Sequence, residues 1–242
     1  MIELPAVGGT ERELWRALLD LAERQPDNWT LIGGQMVLLR ALEQGRVPPR
    51  VTRDLDVLAD LRARPAALAR ILTTLSELDF EVELAAPNES GHRFKRGNVT
   101  IDLLAPDNLG ARADLHTVGS LTTVAIAGGT YALERSLPLA VRLDGRDAMI
   151  PCPDLAGALV IKAAAAGSDH GLGPERHLSD LAVLFSLVAD PFRLRKELGS
   201  RNARRIAAVQ ALDDDEHEAW RLLPQPQRLE GITARALIVA TA

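Results

Sequence analysis

The pattern that most constrains this chain is an acid at every second position of a short apolar segment. Within residues 52–57, Asp54 and Asp56 alternate with leucine and valine. Side chains two residues apart lie on the same face of a strand, so the two aspartates are predicted side by side, with the apolar residues on the opposite face. Two ionised carboxylates this close repel each other unless a cation lies between them. The segment therefore predicts a half-buried strand whose polar face binds a metal ion.

A second apolar segment carries a single acid. Residues 99–104 place Asp102 among valine, isoleucine and leucine. If this strand pairs beside the first, Asp102 completes a cluster of three carboxylates able to hold two metal ions, which can stabilise both the attacking and the leaving oxygen of an in-line phosphoryl displacement. Magnesium prefers carboxylate oxygens together with substrate phosphates, so we expect Mg²⁺ (or Mn²⁺) as the cofactor. Asp102 is the acid best placed to accept a proton.

A Gly-Gly pair precedes the acidic strand. Gly33 and Gly34 follow the apolar residues 29–32, and a helix is predicted over residues 35–44. Such a turn exposes backbone N–H groups, and a helix N-terminus attracts phosphate, so the pair is predicted to bind the triphosphate of a nucleoside triphosphate. Gly-Gly alone is a common turn and Asp-Leu-Asp alone is often a solvated strand edge, but the ordered set is far rarer by chance. Arg53 contacts phosphate in one interpretation and only lies at the strand edge in the other.

The predicted elements change character near residue 150. Before it, the pattern predicts helices and many short strands, the strands over residues 51–58, 80–84, 92–96, 98–104, 121–126, 131–135, 139–143 and 148–150. After it, the pattern is helical, with helices over residues 154–166, 177–188, 190–199, 201–212 and 214–223. We therefore predict an α+β chain, with a mixed sheet and flanking helices in a domain over residues 1–150 and a helical bundle over residues 151–242.

Charge and hydropathy limit the partners. The net charge of −5 gives little general attraction to nucleic acid, so RNA binding would need a local basic patch. One group of residues could form it, although a solvated helical surface explains the same residues equally well: Arg193, Arg195, Lys196, Arg201, Arg204 and Arg205. The chain has no apolar run of the roughly 20 residues that span a bilayer, and its N-terminus lacks a signal-peptide pattern. We expect a cytoplasmic protein without a membrane partner.

One lysine lies in an unusual environment. Lys162 interrupts an apolar, alanine-rich segment that is predicted to be helical. A fully buried lysine is rare unless it is paired. Lys162 is therefore either a cation that contacts triphosphate oxygens, or a lysine whose ammonium reaches solvent at the rim of a domain.

Residues 31–34, 52–57 and 99–102 together resemble the DNA polymerase beta-like nucleotidyltransferase superfamily. Within it, the chain is most similar to the AbiEii/MenT group, the toxin halves of bacterial toxin–antitoxin pairs. That group also has a helix with a lysine and a later helix with an aspartate, which match Lys162 and Asp180 here. The resemblance extends from about residue 31 to about residue 184. It departs at Gln35, where the superfamily often has serine, and at His177, where it often has aspartate.

The resemblance implies a metal-dependent nucleotidyltransferase, with residues 1–150 as the nucleotidyltransferase domain. It implies transfer of a nucleoside monophosphate from a nucleoside triphosphate to a tRNA 3′ end, and a cognate antitoxin as partner. Lys162 and Asp180 would be catalytic, with Asp180 either paired with Lys162 or in contact with the nucleotide or acceptor. Two alternatives stay open: the same chemistry on a protein or small molecule, as in antibiotic-modifying relatives, and a non-catalytic module that binds a partner. The intact acids argue against the module.

Overall fold

The computed structural model describes residues 1–5, 8–50, 52–83, 91–110, 113–168 and 174–240. The chain forms two units, one of Met1–Gln35 with Thr52–Pro153 and one of Met36–Val51 with Asp154–Ala242. The division at Pro153 lies near the boundary expected at residue 150. Residues 36–51, which we expected in the first domain, group with the second unit. A sequence pattern does not reveal this grouping because the division falls inside a helix that continues across it.

The first unit contains two sheets and their flanking helices. Its strands are β1 (Ile2–Glu3), β2 (Trp29–Ile32), β3 (Asp54–Ala59), β4 (Glu81–Val82), β5 (Arg93–Arg96), β6 (Val99–Pro106), β7 (Ala125–Ile126), β8 (Ser136–Leu143) and β9 (Arg146–Pro153). Its helices are α1 (Gly9–Arg24), the first turn of α2 (Gly33–Glu43), α3 (Ala67–Glu77) and α4 (Gly129–Glu134). The predicted strands over residues 51–58 and 80–84 correspond to β3 and β4, and residues 51 and 84 lie outside the described residues.

The larger sheet has the mixed topology that the sequence predicted. Its strand order is β2-β3-β6-β5-β4, with β7 beside the end of β6. β3 and β6 run parallel, whereas β2, β5 and β4 each run antiparallel to their neighbours. A separate sheet has the order β1-β8-β9. The parallel pair β3–β6 lies inside the sheet, where strands are covered on both sides by neighbours.

The strand predicted over residues 131–135 is wrong, because residues 131–134 belong to α4 and Arg135 is the C-cap of that helix. The carboxylate of Asp107 accepts hydrogen bonds from the backbone N–H groups of Gly128 and Thr130, each at 2.9 Å. These bonds stabilise the start of the helix in the way that a capping residue does. Because the acid lies more than twenty residues earlier in the chain, the local pattern contains no sign of it.

The second unit is helical, as predicted. Besides the rest of α2, it contains α5 (Leu155–Ser168), α6 (Glu175–Ser186), α7 (Pro191–Ala207), a 3-10 turn over Gln210–Asp213, α8 (Glu218–Arg221) and α9 (Gln225–Val239). The predicted start of α7 is confirmed, since Asp190 accepts a hydrogen bond from the Arg193 N–H at 2.9 Å. The backbone leaves the helical conformation at Gly199, where a helix end was predicted. Among the described residues, no helix is both long enough and apolar enough to cross a membrane.

Candidate active site

The acidic face predicted from the sequence is present on β3. Asp54 and Asp56 are half-buried, whereas Leu55 and Val57 are fully buried. β6 pairs in parallel with β3, and Asp56 is the register partner of Asp102. Register partners on neighbouring strands point to the same side of a sheet. The three aspartates therefore lie on one face, because β3 and β6 are neighbours in the sheet, as expected.

The Gly-Gly pair lies directly against this face. Ile32, at the end of β2, is the register partner of Asp56, and α2 begins at the next residue, Gly33, with a φ of 72°. A Cβ on Gly33 would overlap the Asp56 carboxylate and lie 2.5 Å from its Cγ, and a Cβ on Gly34 would lie 2.7 Å from the hydroxyl oxygen of Thr52. Both positions require glycine, because only the absence of a side chain lets the helix approach the strand. The partly positive N-terminus of α2 is thereby held beside an acid.

Two buried polar atoms near this helix start have no hydrogen-bond partner among the described residues. They are Gln35 Oε1 and Thr52 Oγ1. Gln35 is 1% exposed, and its Nε2 donates to the Thr52 carbonyl oxygen at 2.7 Å, which fixes the orientation of the amide. An unsatisfied buried polar atom costs about 1–3 kcal/mol. The unsatisfied pair is consistent with a polar ligand or ordered water completing this region.

Asp102 is engaged by an arginine that we did not select from the sequence. Arg93 on β5 is its register partner, and Arg93 Nε and Nη2 donate to Asp102 Oδ1 and Oδ2, each at 2.8 Å. This pair of hydrogen bonds raises the pKa of Arg93 further above its ordinary value, against the opposing effect of burial. The sequence Gly97-Asn98, at the junction of the strands predicted over residues 92–96 and 98–104, held the signal for this contact. A two-residue hairpin turn places residue 96 opposite residue 99, and hence residue 93 opposite residue 102.

The arrangement of the three aspartates differs from the metal-binding cluster that we expected. The described residues contain no group of three or more His, Cys, Asp or Glu side chains arranged to hold a metal ion. The cluster of three carboxylates is not preformed among them, because both oxygens of Asp102 accept hydrogen bonds from Arg93. Asp54 and Asp56 still offer hard oxygen ligands on one strand face. Magnesium commonly takes one or two carboxylates and completes its shell with substrate phosphates and water, so this pair fits a metal that arrives with a triphosphate.

Arg53 precedes β3, and its side chain is exposed. This position agrees with either expectation, a phosphate contact or a strand edge.

In the second unit, Lys162 and Asp180 form a buried ion pair. Lys162 Nζ on α5 lies 2.6 Å from Asp180 Oδ2 on α6, and the two side chains are only 6% and 9% exposed. This pairing is one of the arrangements that the sequence left open. The interpretation of Lys162 as a rim lysine that reaches solvent is wrong, because a neighbouring helix supplies its counter-ion inside the unit.

The basic residues of α7 differ in exposure. Arg193, Lys196, Arg201 and Arg204 are exposed, whereas Arg195 and Arg205 are half-buried. Arg193 is already paired with Glu197, at 2.9 Å. The exposed positive charge available to an anionic partner is therefore smaller than the sequence cluster indicated.

The chain matches no family model, and no curated protein is significantly similar to it. Its fold is nonetheless similar to solved structures. The crystal structure of an antigenic nucleotidyltransferase-like protein from Paracoccidioides brasiliensis aligns with a TM-score of 0.52 over 86% of this chain and 91% of that one, at 15% identity. The solution structure of the antibiotic-resistance factor ANT(2'')-Ia aligns with a TM-score of 0.43 over 88% of this chain and 95% of that one, at 16% identity. The first of these shows that the chain has a nucleotidyltransferase-like fold.

Proposed function

We propose that this chain is a metal-dependent nucleotidyltransferase that transfers a nucleoside monophosphate from a nucleoside triphosphate to a tRNA 3′ end, as the toxin of a toxin–antitoxin pair. The observation that carries the proposal is the start of α2, which lies against Asp56 on a sheet face that also holds Asp54 and Asp102. A helix N-terminus offers N–H groups to phosphate oxygens, and paired carboxylates offer oxygens to the accompanying cation. The nucleotidyltransferase-like fold supports the same chemistry.

The residues divide the work by their chemistry. Asp54 and Asp56 would hold Mg²⁺ or Mn²⁺, and this ion would neutralise part of the negative charge of the triphosphate. The N–H groups of Gly33 and Gly34 would donate to phosphate oxygens. The acceptor hydroxyl oxygen would bond to the α-phosphorus as the bond to the bridging oxygen breaks and pyrophosphate leaves. The hydroxyl proton would pass to the Asp102 carboxylate.

The remaining site residues stay predictions that rest on the resemblance. Arg53 is proposed to contact phosphate, which its exposure permits. Lys162 is proposed to contribute its charge to triphosphate binding, with Asp180 as the acid that holds the ammonium. The cognate antitoxin also rests on the resemblance alone.

An RNA acceptor is supported by the exposed cations Lys196, Arg201 and Arg204 on α7. The net charge of −5 opposes general attraction to RNA, so these local charges would have to contact the phosphate backbone. We expect Arg201→Glu with Arg204→Glu to lower RNA affinity and to flatten its salt dependence, by about 0.7 in slope for each single-strand phosphate that is no longer neutralised. Arg12→Glu with Arg16→Glu makes the same change of net charge elsewhere and serves as the control. An equal decrease in both variants would mean that α7 has no specific role.

The test of the reaction uses the purified chain with Mg²⁺, total tRNA and each labelled nucleoside triphosphate in turn. We expect label on tRNA with the wild type and none with Asp54→Ala, because one of the two paired carboxylates is gone. Asp147→Ala, which removes an exposed acid of the other sheet, should behave as the wild type. The same comparison in cells is made by sequencing tRNA 3′ ends after induction.

The cellular experiment separates the alternatives. Growth arrest with unextended tRNA would reject transfer to RNA ends and favour a protein or small-molecule acceptor. Soluble expression with neither arrest nor modification would favour a module that only binds a partner.

A further inference from the structure

Three charged side chains form a row across the middle of the larger sheet. Asp56 on β3, Asp102 on β6 and Arg93 on β5 are successive register partners. Asp102 is 7% exposed, so its charge is shielded from water and depends on its neighbours. Arg93 is the neighbour that engages it, through two hydrogen bonds of 2.8 Å.

This arrangement opposes the binding of a cation at Asp102. The two hydrogen bonds use one oxygen each, and a divalent ion bound there would lie next to the guanidinium charge. Lys95, the other cation of β5 on this face, is paired with Glu83. It therefore does not replace Arg93 as the partner of Asp102. A cation therefore gains Asp102 as a ligand only if Arg93 moves away.

A nucleoside triphosphate provides a reason for Arg93 to move. The planar guanidinium forms two-point hydrogen bonds with phosphate as readily as with carboxylate. The side chain of Arg93 is 44% exposed, so a ligand on the sheet face can reach it.

We propose that Arg93 is a positioning residue that donates its hydrogen bonds to Asp102 in the absence of substrate and to a phosphate of the triphosphate when the nucleotide binds. Asp102 is then released to bind the divalent cation, so that nucleotide and cation bind as a coupled pair. The inference rests on the proposed function, since it assumes a triphosphate at the acids of β3. It assigns Arg93 the role of coupling nucleotide binding to cation binding.

The test measures Mn²⁺ binding directly, without turnover, by titration with and without a non-hydrolysable triphosphate analogue. Without nucleotide, we expect Arg93→Gln to bind Mn²⁺ about tenfold more tightly than the wild type, a factor in the ordinary range of coupling between sites. The gain should disappear in Arg93→Gln with Asp102→Asn. With the analogue, Mn²⁺ affinity should rise by about tenfold more in the wild type than in Arg93→Gln, because only in the wild type is Asp102 held by Arg93 until the nucleotide binds.

Two further variants control for folding and for the removal of any ion pair. Arg93→Lys keeps a charge next to Asp102 but has no planar fork, and we expect an intermediate affinity. Arg142→Gln breaks a pair of the same two-bond kind with its register partner Asp147, in the other sheet, and should leave Mn²⁺ binding unchanged. Thermal melts of each variant confirm that the chain is folded.

The outcomes distinguish the two proposals. If nucleotide-dependent Mn²⁺ binding requires Asp54 but is identical in the wild type, Arg93→Gln and Arg93→Lys, the role of Arg93 is overturned and the metal-dependent site survives. If the wild type binds no Mn²⁺ even with the analogue, both are overturned. A gain in Arg93→Gln that persists without Asp102 would also overturn the role of Arg93, since the cation would then bind elsewhere.

Discussion

The buried pair of Lys162 and Asp180 offers a test in which structural and functional effects can be separated. Lys162→Met removes the ammonium but keeps a chain of similar length, and it leaves the Asp180 carboxylate, 9% exposed, without its cation. Removing one partner of a buried pair typically costs about 3–5 kcal/mol. A protein of this size loses about 2–4 °C in Tm for each kcal/mol. We therefore expect Lys162→Met, and equally Asp180→Leu, to lower the Tm by roughly 6–20 °C.

The double variant should behave differently. Lys162→Met with Asp180→Leu replaces two charges by apolar side chains on α5 and α6, where the adjacent residues Ile161 and Leu181 are themselves buried. Replacement of a whole buried pair is often neutral or stabilising by about 1–4 kcal/mol. The Tm of the double variant should thus return to the wild-type value or exceed it. The matched control is the exposed pair Arg193 and Glu197 on α7, whose cycle should show a coupling of only about 0.3–0.5 kcal/mol.

The assay is thermal and urea unfolding of the four proteins in each cycle, followed by circular dichroism. Additive decreases in Lys162→Met and Asp180→Leu would refute the reasoning, because they would mean that neither charge depends on the other. A stable double variant then answers the functional question. If it no longer transfers nucleotide, the pair contributes to the reaction, whereas full activity would restrict Lys162 and Asp180 to a structural role.

Two further predictions concern the rest of the chain. Gly33→Ala should lower stability by more than the roughly 1–2 kcal/mol cost of a left-handed backbone, because its Cβ also overlaps a carboxylate. In thermal melts, Gly45→Ala, with a similar φ of 67° and open space around its Cβ, should show only the backbone cost, and equal decreases in Tm would contradict the overlap. Hydrogen bonds from Arg221 and then Arg228 lower the pKa of Glu216. Its contribution is therefore present at neutral pH, so the difference in urea midpoint between the wild type and Glu216→Gln should shrink as pH falls below about 4.3, the ordinary pKa of glutamate, and vanish once the pH is below the lowered pKa of Glu216. A difference that persists there would contradict the ion-pair origin.

The local part of the site could be read from the sequence. The alternation around Asp54 and Asp56 determined which side chains share a face, because successive side chains of any strand point to opposite sides. The Asp190-Pro191 pair determined the start of α7, since a capping acid and a proline act within one turn. In both cases the interaction joins residues only a few positions apart.

Other elements depended on distant partners. Residues 131–134 form part of α4 and not a strand, because Asp107 caps the helix from outside the local window. Residues 36–51 group with the second unit, although they lie between two segments of the first. A pattern of apolar residues shows that a helix has a buried face but does not show which neighbour buries it.

The pairing of charges was decided only by the tertiary structure. The sequence placed Asp102 on a strand and Lys162 on a helix, and each had more than one possible partner. The antiparallel register of β5 and β6 brings Arg93 to Asp102, and the packing of α6 beside α5 brings Asp180 to Lys162. Sequence periodicity determines the direction of a side chain from its own backbone. The atom that it meets depends on how separate elements pack, because an ion pair requires its two groups within a few ångströms.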